Sequence, residues 1–197
     1  RALLTSPRLL LMDEPLSALD TASRAEILPY LESLHRELDL PILYVSHALE
    51  EVARLAEQLV LVEQGRVIAS GAPNEILGRL DLPTAHLDDA GAVIEAGVAA
   101  HDEEYHLTRL DFSGGSLWVS KVERAIGSVV RARVLARDVS IATAMPHGSS
   151  ISNILEARID EIRDEGPDRV NLRMSVGSGK LLLSRITRRS RDQLGLA

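Results

Sequence analysis

The chain contains no cysteine, so no disulfide, thiolate metal site or cysteine nucleophile can be built from it. That composition fits a reducing compartment such as the cytoplasm. Aromatic residues are scarce, with one Trp, one Phe and three Tyr among 197 residues, too few for the stacking platforms that hold single-stranded nucleic acid. No run approaches the ~18 consecutive apolar residues of a membrane-spanning helix. The opening residues also lack the basic-then-apolar layout of a secretory signal.

What is there is the composition of an ordinary folded protein, 45% hydrophobic and 26% charged. The length suits one large domain or two small ones, and two are expected. Charge divides the chain: residues 1–120 carry eight basic and 20 acidic side chains, a balance of −12, and residues 121–197 carry 14 and nine, a balance of +5. The basic half would attract a small anion or a phosphate backbone, but a solvated arginine-rich surface is the plainer reading of charge alone.

The first half reads as alternating strand and helix. A short apolar run, Leu9-Leu10-Leu11-Met12, stops at Asp13-Glu14-Pro15, as a buried parallel strand does. Asp20 or Thr21 caps a helix with Ile27, Leu28, Leu31 and Leu34 on one face. Residues 41–45 form a second strand ending at Ser46-His47, and residues 48–58 a second helix. This alternation argues for a parallel sheet with helical crossovers. Residues 59–71 read as a hairpin around Gln64-Gly65, followed by a short helix from Pro73 to Leu77. Periodicity then weakens over 81–97, where the domain junction is placed. Beyond it, short strands at 117–119, 129–135, 154–162, 169–174 and 180–186 are punctuated by Gly114-Gly115, Gly166-Pro167 and Gly177-Ser178-Gly179, the texture of a small OB-like barrel.

Asp13-Glu14 is the sharpest chemical signal. An acidic pair at the mouth of a buried strand is costly unless a cation or a reacting water occupies the site; a helix cap or solvated turn is the plainer alternative. A magnesium nucleotide supplies the cation, with the first carboxylate orienting Mg²⁺ through water and the second polarising the water that attacks the γ-phosphate. Glu14 and His47 lie 33 positions apart, each at the C-terminal end of a predicted parallel strand, the edge where ligands of open α/β sheets sit. His47 there reaches the γ-phosphate.

These residues together resemble the nucleotide-binding subunits of ABC transporters. Residues 9–15 are similar to the Walker B strand with its catalytic glutamate, Ser17-Ala18-Leu19-Asp20 to the D-loop, Tyr44-Val45-Ser46-His47 to the switch-histidine strand, and Arg1-Ala2-Leu3-Leu4 to the end of the helix after the signature sequence. Within the family the chain resembles the ATP-binding proteins of molybdate importers, through Gly71-Ala72-Pro73, Leu80-Asp81-Leu82-Pro83, residues 88–94, Leu107-Thr108-Arg109-Leu110, residues 136–142, Ser150-Ile151-Ser152-Asn153 and Ser184-Arg185-Ile186-Thr187. The fold implied is α/β followed by all-β: the C-terminal part of a P-loop ABC ATPase domain (1–80), a linker (81–97) and an OB-like barrel of the TOBE or Mop type (98–197). Glu14 and His47 are then catalytic, Asp13 serves Mg²⁺ through water, and Ser17 and Asp20 act in ATP binding and communication across a homodimer.

The cofactors implied are ATP and Mg²⁺. The partners implied are a membrane permease, a second ATPase subunit and, indirectly, an extracytoplasmic molybdate-binding protein, with the assembly at the cytoplasmic face of the membrane and no nucleic acid. In the barrel, Ser150, Ser152 and Asn153 are candidates for a molybdate or tungstate site, although Ser152 stands where related turns carry Arg and the same residues serve equally to cap a turn. The sequence has no Gly-x-x-x-x-Gly-Lys-Ser/Thr phosphate loop and no signature motif. It is therefore expected to be the C-terminal part of a longer protein, inactive towards ATP by itself, with a barrel that continues past Ala197. Two further functions stay open: an oxyanion-binding regulatory module, and the ATPase of a sugar or other oxyanion importer.

Overall fold

The computed structural model describes residues 7–37 and 40–196; Arg1-Ala2-Leu3-Leu4 lies outside the described residues. Strands β1 (Leu10–Asp13) and β2 (Ile42–Val45) pair in parallel, Leu10 opposite Ile42 and Asp13 opposite Val45. Helix α1 (Thr21–Glu37) connects them, and its Leu28 is fully buried. The connection has the expected βαβ form, with Leu10 on the strand and Leu28 on the helix both buried.

Helix α2 (Leu49–Leu55) ends three residues short of the expected 48–58. Ala56 turns extended, and its carbonyl accepts Arg131 Nη1 at 2.7 Å in place of a helical partner. Strands β3 (Leu59–Glu63) and β4 (Arg66–Gly71) form the expected hairpin, followed by α3 (Pro73–Leu77). Ala69, Ile76 and Leu82 pack beneath this hairpin with Leu59 and Leu61.

A 3-10 turn (Pro83–His86) leads into β5 (Gly91–Asp102), a twelve-residue strand whose first seven residues lie in the segment expected as linker. Its sequence, rich in Gly and Ala, lacks the β-branched alternation that marks a strand. Small residues are needed here because both faces are covered. Val93 faces Leu49, Ala53 and Leu77, while Ala92 and Ile94 enter the barrel core with Leu117, Met174, Val176 and Leu182. A Cβ on Gly91 would lie 2.5 Å from the Val134 carbonyl oxygen.

The barrel consists of two antiparallel sheets. One has the order β7-β6-β5-β8, with β6 (Leu107–Phe112), β7 (Gly115–Ser120) and β8 (Val129–Leu135). The other runs β11-β10-β9, with β9 (Ala157–Glu165), β10 (Arg169–Val176) and β11 (Lys180–Thr187). β11 lies against β5 and β8, which gives the OB-like arrangement. Strands β8, β10 and β11 match the expected runs to within two residues, and β9 lies three residues later than the expected 154–162. β6 went unrecognised, as did α4 (Arg188–Leu194), whose start is fixed by Thr187 Oγ1 accepting the Ser190 amide at 3.1 Å.

The turn between β10 and β11 meets the β6–β7 turn at Gly177, which has φ +55°; a Cβ there would sit 2.1 Å from the Ser113 carbonyl oxygen and 2.4 Å from Gly114 Cα. Gly177→Ala therefore combines a left-handed penalty with overpacking against backbone. A loss of about 3 kcal/mol is expected in urea unfolding. Gly127→Ala, at φ +89° with open space around it, should cost only about 1 kcal/mol.

Candidate active site at the ends of the parallel strands

The parallel register places Asp13 level with Val45, so the next residues of both strands emerge together at one edge. Glu14 donates its backbone N–H to the Val45 carbonyl at 2.9 Å and then turns into the left-handed region, φ +45°. For a glutamate this is strained backbone, held by the turn that follows. Ser17 supplies the restraint: its N–H and its hydroxyl both donate to the Glu14 carbonyl, at 3.2 and 2.8 Å.

The result is a contact between side chains 33 positions apart: His47 Nδ1 lies 2.7 Å from Glu14 Oε1. An ionised carboxylate only accepts, so Nδ1 carries the hydrogen. The histidine side chain is 82% exposed and the glutamate 34%, leaving Nε2 open to a ligand arriving at the strand ends. Asp13 is exposed beside them. Among the described residues no group of three or more His, Asp or Glu side chains is placed to hold a metal ion. The exposed carboxylate of Asp13 nevertheless suits Mg²⁺, which keeps several waters and takes its remaining ligands from phosphates. These residues fit the metal and water side of a magnesium nucleotide. They provide no cradle for its phosphates.

Asp20 has a different task. Its carboxylate accepts the Ser23 amide at 2.8 Å and the Ser23 hydroxyl at 3.1 Å, capping α1 as expected. The Ser23 amide, with the Ser23 hydroxyl second, holds its pKa below the usual carboxylate range. Leu16, buried between Glu14 and Asp20, anchors the intervening turn. The structure thus brings Glu14 and His47 into contact, leaves Asp13 exposed at the end of β1, and sets Ser17 and Asp20 on the adjoining turn.

Residues passed over in the sequence lie directly behind. Glu51 on α2 is 2% exposed and accepts Tyr44 Oη at 2.7 Å and Ser46 Oγ at 2.8 Å, while Arg24 Nε is 3.5 Å from its other oxygen. Burial, and then the hydrogen bond to Glu51, push the Tyr44 pKa up. The available signal was an acid flanked by Leu49, Val52 and Ala53 on the buried face of α2.

In the barrel, Ser150, Ser152 and Asn153 lie on an exposed segment between β8 and β9. Asn153 is engaged in the fold: its Oδ1 accepts the Trp118 amide at 2.7 Å and its Nδ2 donates to the Trp118 carbonyl at 2.9 Å. It thereby acts as one residue of an extra strand on the free edge of β7.

Residues 149–197 match the TOBE domain family. Across all of the chain, it is 58% identical to the molybdenum import ATP-binding protein ModC of Aromatoleum aromaticum, covering 52% of that protein. It is 57% identical to ModC 1 of Azotobacter vinelandii and 54% identical to ModC of Methylococcus capsulatus, again over all of its length and covering 55% of each. The chain is homologous throughout to the molybdenum import ATP-binding proteins. It spans about half the length of the curated relatives it matches. The homology extends across the α/β half as well as the barrel, so Asp13, Glu14 and His47 lie within the shared sequence. None of the described helices is long and apolar enough to cross a membrane.

Proposed function

We propose that this chain is part of the ATP-binding and hydrolysing subunit of an importer for molybdate, with residues 1–80 belonging to the ATPase domain and, after a short connection, a barrel that begins with β5 at Gly91. The observation that carries the proposal is the Glu14–His47 contact at the C-terminal edge of two parallel strands, in a sequence homologous to import ATP-binding proteins.

In this reading Asp13 holds Mg²⁺ through water, and the ion, when bound, neutralises charge on the nucleotide's terminal phosphates. Glu14 polarises the attacking water, and the strained backbone beneath it fixes where that carboxylate points. His47 presents Nε2 to the terminal phosphate. The Nδ1 contact with Glu14 fixes the ring so that Nε2 faces outward from the strand ends. Ser17 and Asp20 shape the turn that faces a second ATPase subunit. A membrane permease is the partner through which hydrolysis drives uptake, an extracytoplasmic binding protein delivers the anion, and the subunit works at the cytoplasmic face of the membrane. Oxyanion binding by the barrel, the alternative activity, would rest on Ser150 and Ser152, since Asn153 is occupied with Trp118.

The test is Mg²⁺-dependent ATP turnover by the purified protein at the full length of its relatives, with and without His47→Ala. The substitution should lower turnover about 100-fold. A full-length protein that does not hydrolyse ATP, alone or with its permease, refutes the proposal.

A further inference from the structure

Glu51 is a buried carboxylate with three partners drawn from two separate segments. Tyr44 and Ser46 come from the end of β2, on either side of Val45. Arg24 comes from the first turns of α1, and its Nη2 also donates to the carbonyls of Leu16 and Leu19, at 3.5 and 3.4 Å. Those two carbonyls belong to the turn that carries Ser17 and Asp20. On the other side the Ser46 hydroxyl both donates to Glu51 and accepts the Ala48 amide at 3.1 Å. The residues before and after His47 are thereby tied to a single oxygen. An apolar side chain at position 51 would fill the same space but leave a phenol and a hydroxyl without their hydrogen-bond acceptor and the Arg24 guanidinium without its ion-pair partner.

We infer that Glu51 is a positioning residue that couples the turn bearing Ser17 and Asp20 to the strand end bearing His47, so that the two move as one body. This rests on the ATPase reading for its consequence in turnover, though the coupling itself can be measured without nucleotide. Arg24 Nε contacts the Oε1 side of the carboxylate, and the Tyr44 and Ser46 hydroxyls contact Oε2. The two halves can therefore be loosened separately. Glu51→Gln keeps an oxygen for the hydroxyls but turns an amide group towards Arg24; Ser46→Ala releases the Ala48 amide and leaves Arg24 in place.

The experiment is amide hydrogen exchange on this 197-residue chain and the two variants. Glu51→Gln should speed exchange at Ser17 and Leu19 at least about tenfold, and Ser46→Ala should do so at Ala48, with Leu172 and Val176 in β10 unchanged in both. Arg24→Lys, which keeps the charge but not the planar fork, should reproduce the Glu51→Gln pattern. In the full-length protein Glu51→Gln should lower kcat about tenfold without raising the KM for MgATP. Unchanged exchange at Ser17, Leu19 and Ala48 overturns the inference. So does a uniform acceleration that includes β10, which would make Glu51 a determinant of stability only. Absence of ATP turnover in the unsubstituted full-length protein would instead refute the ATPase reading and leave the exchange result to decide the coupling.

Discussion

Glu14→Gln in the full-length protein should abolish most ATP turnover, by about 10²- to 10⁴-fold, while nucleotide binding is kept. The amide preserves the shape of the side chain and can still accept a hydrogen bond from His47 Nδ1, now 2.7 Å from Oε1, so the strand ends should keep their arrangement. What is lost is the negative charge that polarises a water. Binding of a nucleotide gains from that loss, because one carboxylate fewer faces the phosphates. The measurement pairs steady-state hydrolysis with equilibrium binding of ATP. Turnover within tenfold of the unsubstituted protein would remove Glu14 from its role, and loss of binding would make it a ligand rather than a base.

Arg185→Met is expected to be the most damaging single change in the barrel, at about 3–5 kcal/mol. The Arg185 side chain is 9% exposed. It donates to Asn171 Oδ1 at 3.0 Å, to the Ala85 carbonyl at 2.8 Å and to the Leu87 carbonyl at 3.0 Å, and pairs with Glu165 at 3.3 Å. Asn171, itself 3% exposed, donates to Glu165 at 2.9 Å. Methionine fills the volume but leaves Glu165 with the Asn171 amide and His86 Nδ1, at 3.4 Å, takes the Leu87 carbonyl's donor away, and leaves the Ala85 carbonyl only Asn171 Nδ2 at 3.4 Å. Removing one member of a buried ionic network costs more than the network is worth against an apolar alternative, because the remaining charge stays desolvated. Thermal unfolding should show a midpoint about 10 °C lower. Arg185→Lys should recover only part of this, since a point charge cannot reach three acceptors in one plane. A loss below about 1 kcal/mol for Arg185→Met would show that water takes over the vacated contacts.

The parts of the molecule that could be read from sequence are those with a local signal. Leu9 to Met12 announce a strand because four apolar residues end abruptly in two acids, and the turn at Gln64-Gly65 announces a hairpin. Placing Glu14 beside His47 required only that both strands be parallel and adjacent. Glu51 was missed for the opposite reason: its apolar neighbours Leu49, Val52 and Ala53 were a weak signal, because an acid on a helix reads as a solvated face and its burial depends on Tyr44, Ser46 and Arg24 arriving from elsewhere. Asn153 became a candidate anion ligand through the resemblance of residues 150–153 to a family turn, and its bond to Trp118, 35 positions earlier, has no local signal. Strand β5 was hidden by its own packing. The close approach of β8 at Gly91 and the double coverage of Ala92 and Val93 call for small residues, and small residues carry no periodicity.

That same strand limits how the molecule can be divided. Val93 packs on helices of the α/β half and Ile94, its neighbour, on the barrel, so a cut at residue 98 would leave β8 without its partner over Gly91 to Gly97 and strip apolar cover from both halves. A single run of polypeptide serves as the edge of one hydrophobic interior and the wall of another. Loosening either interior exposes part of the other, and the two should melt in one cooperative transition rather than as beads on a string.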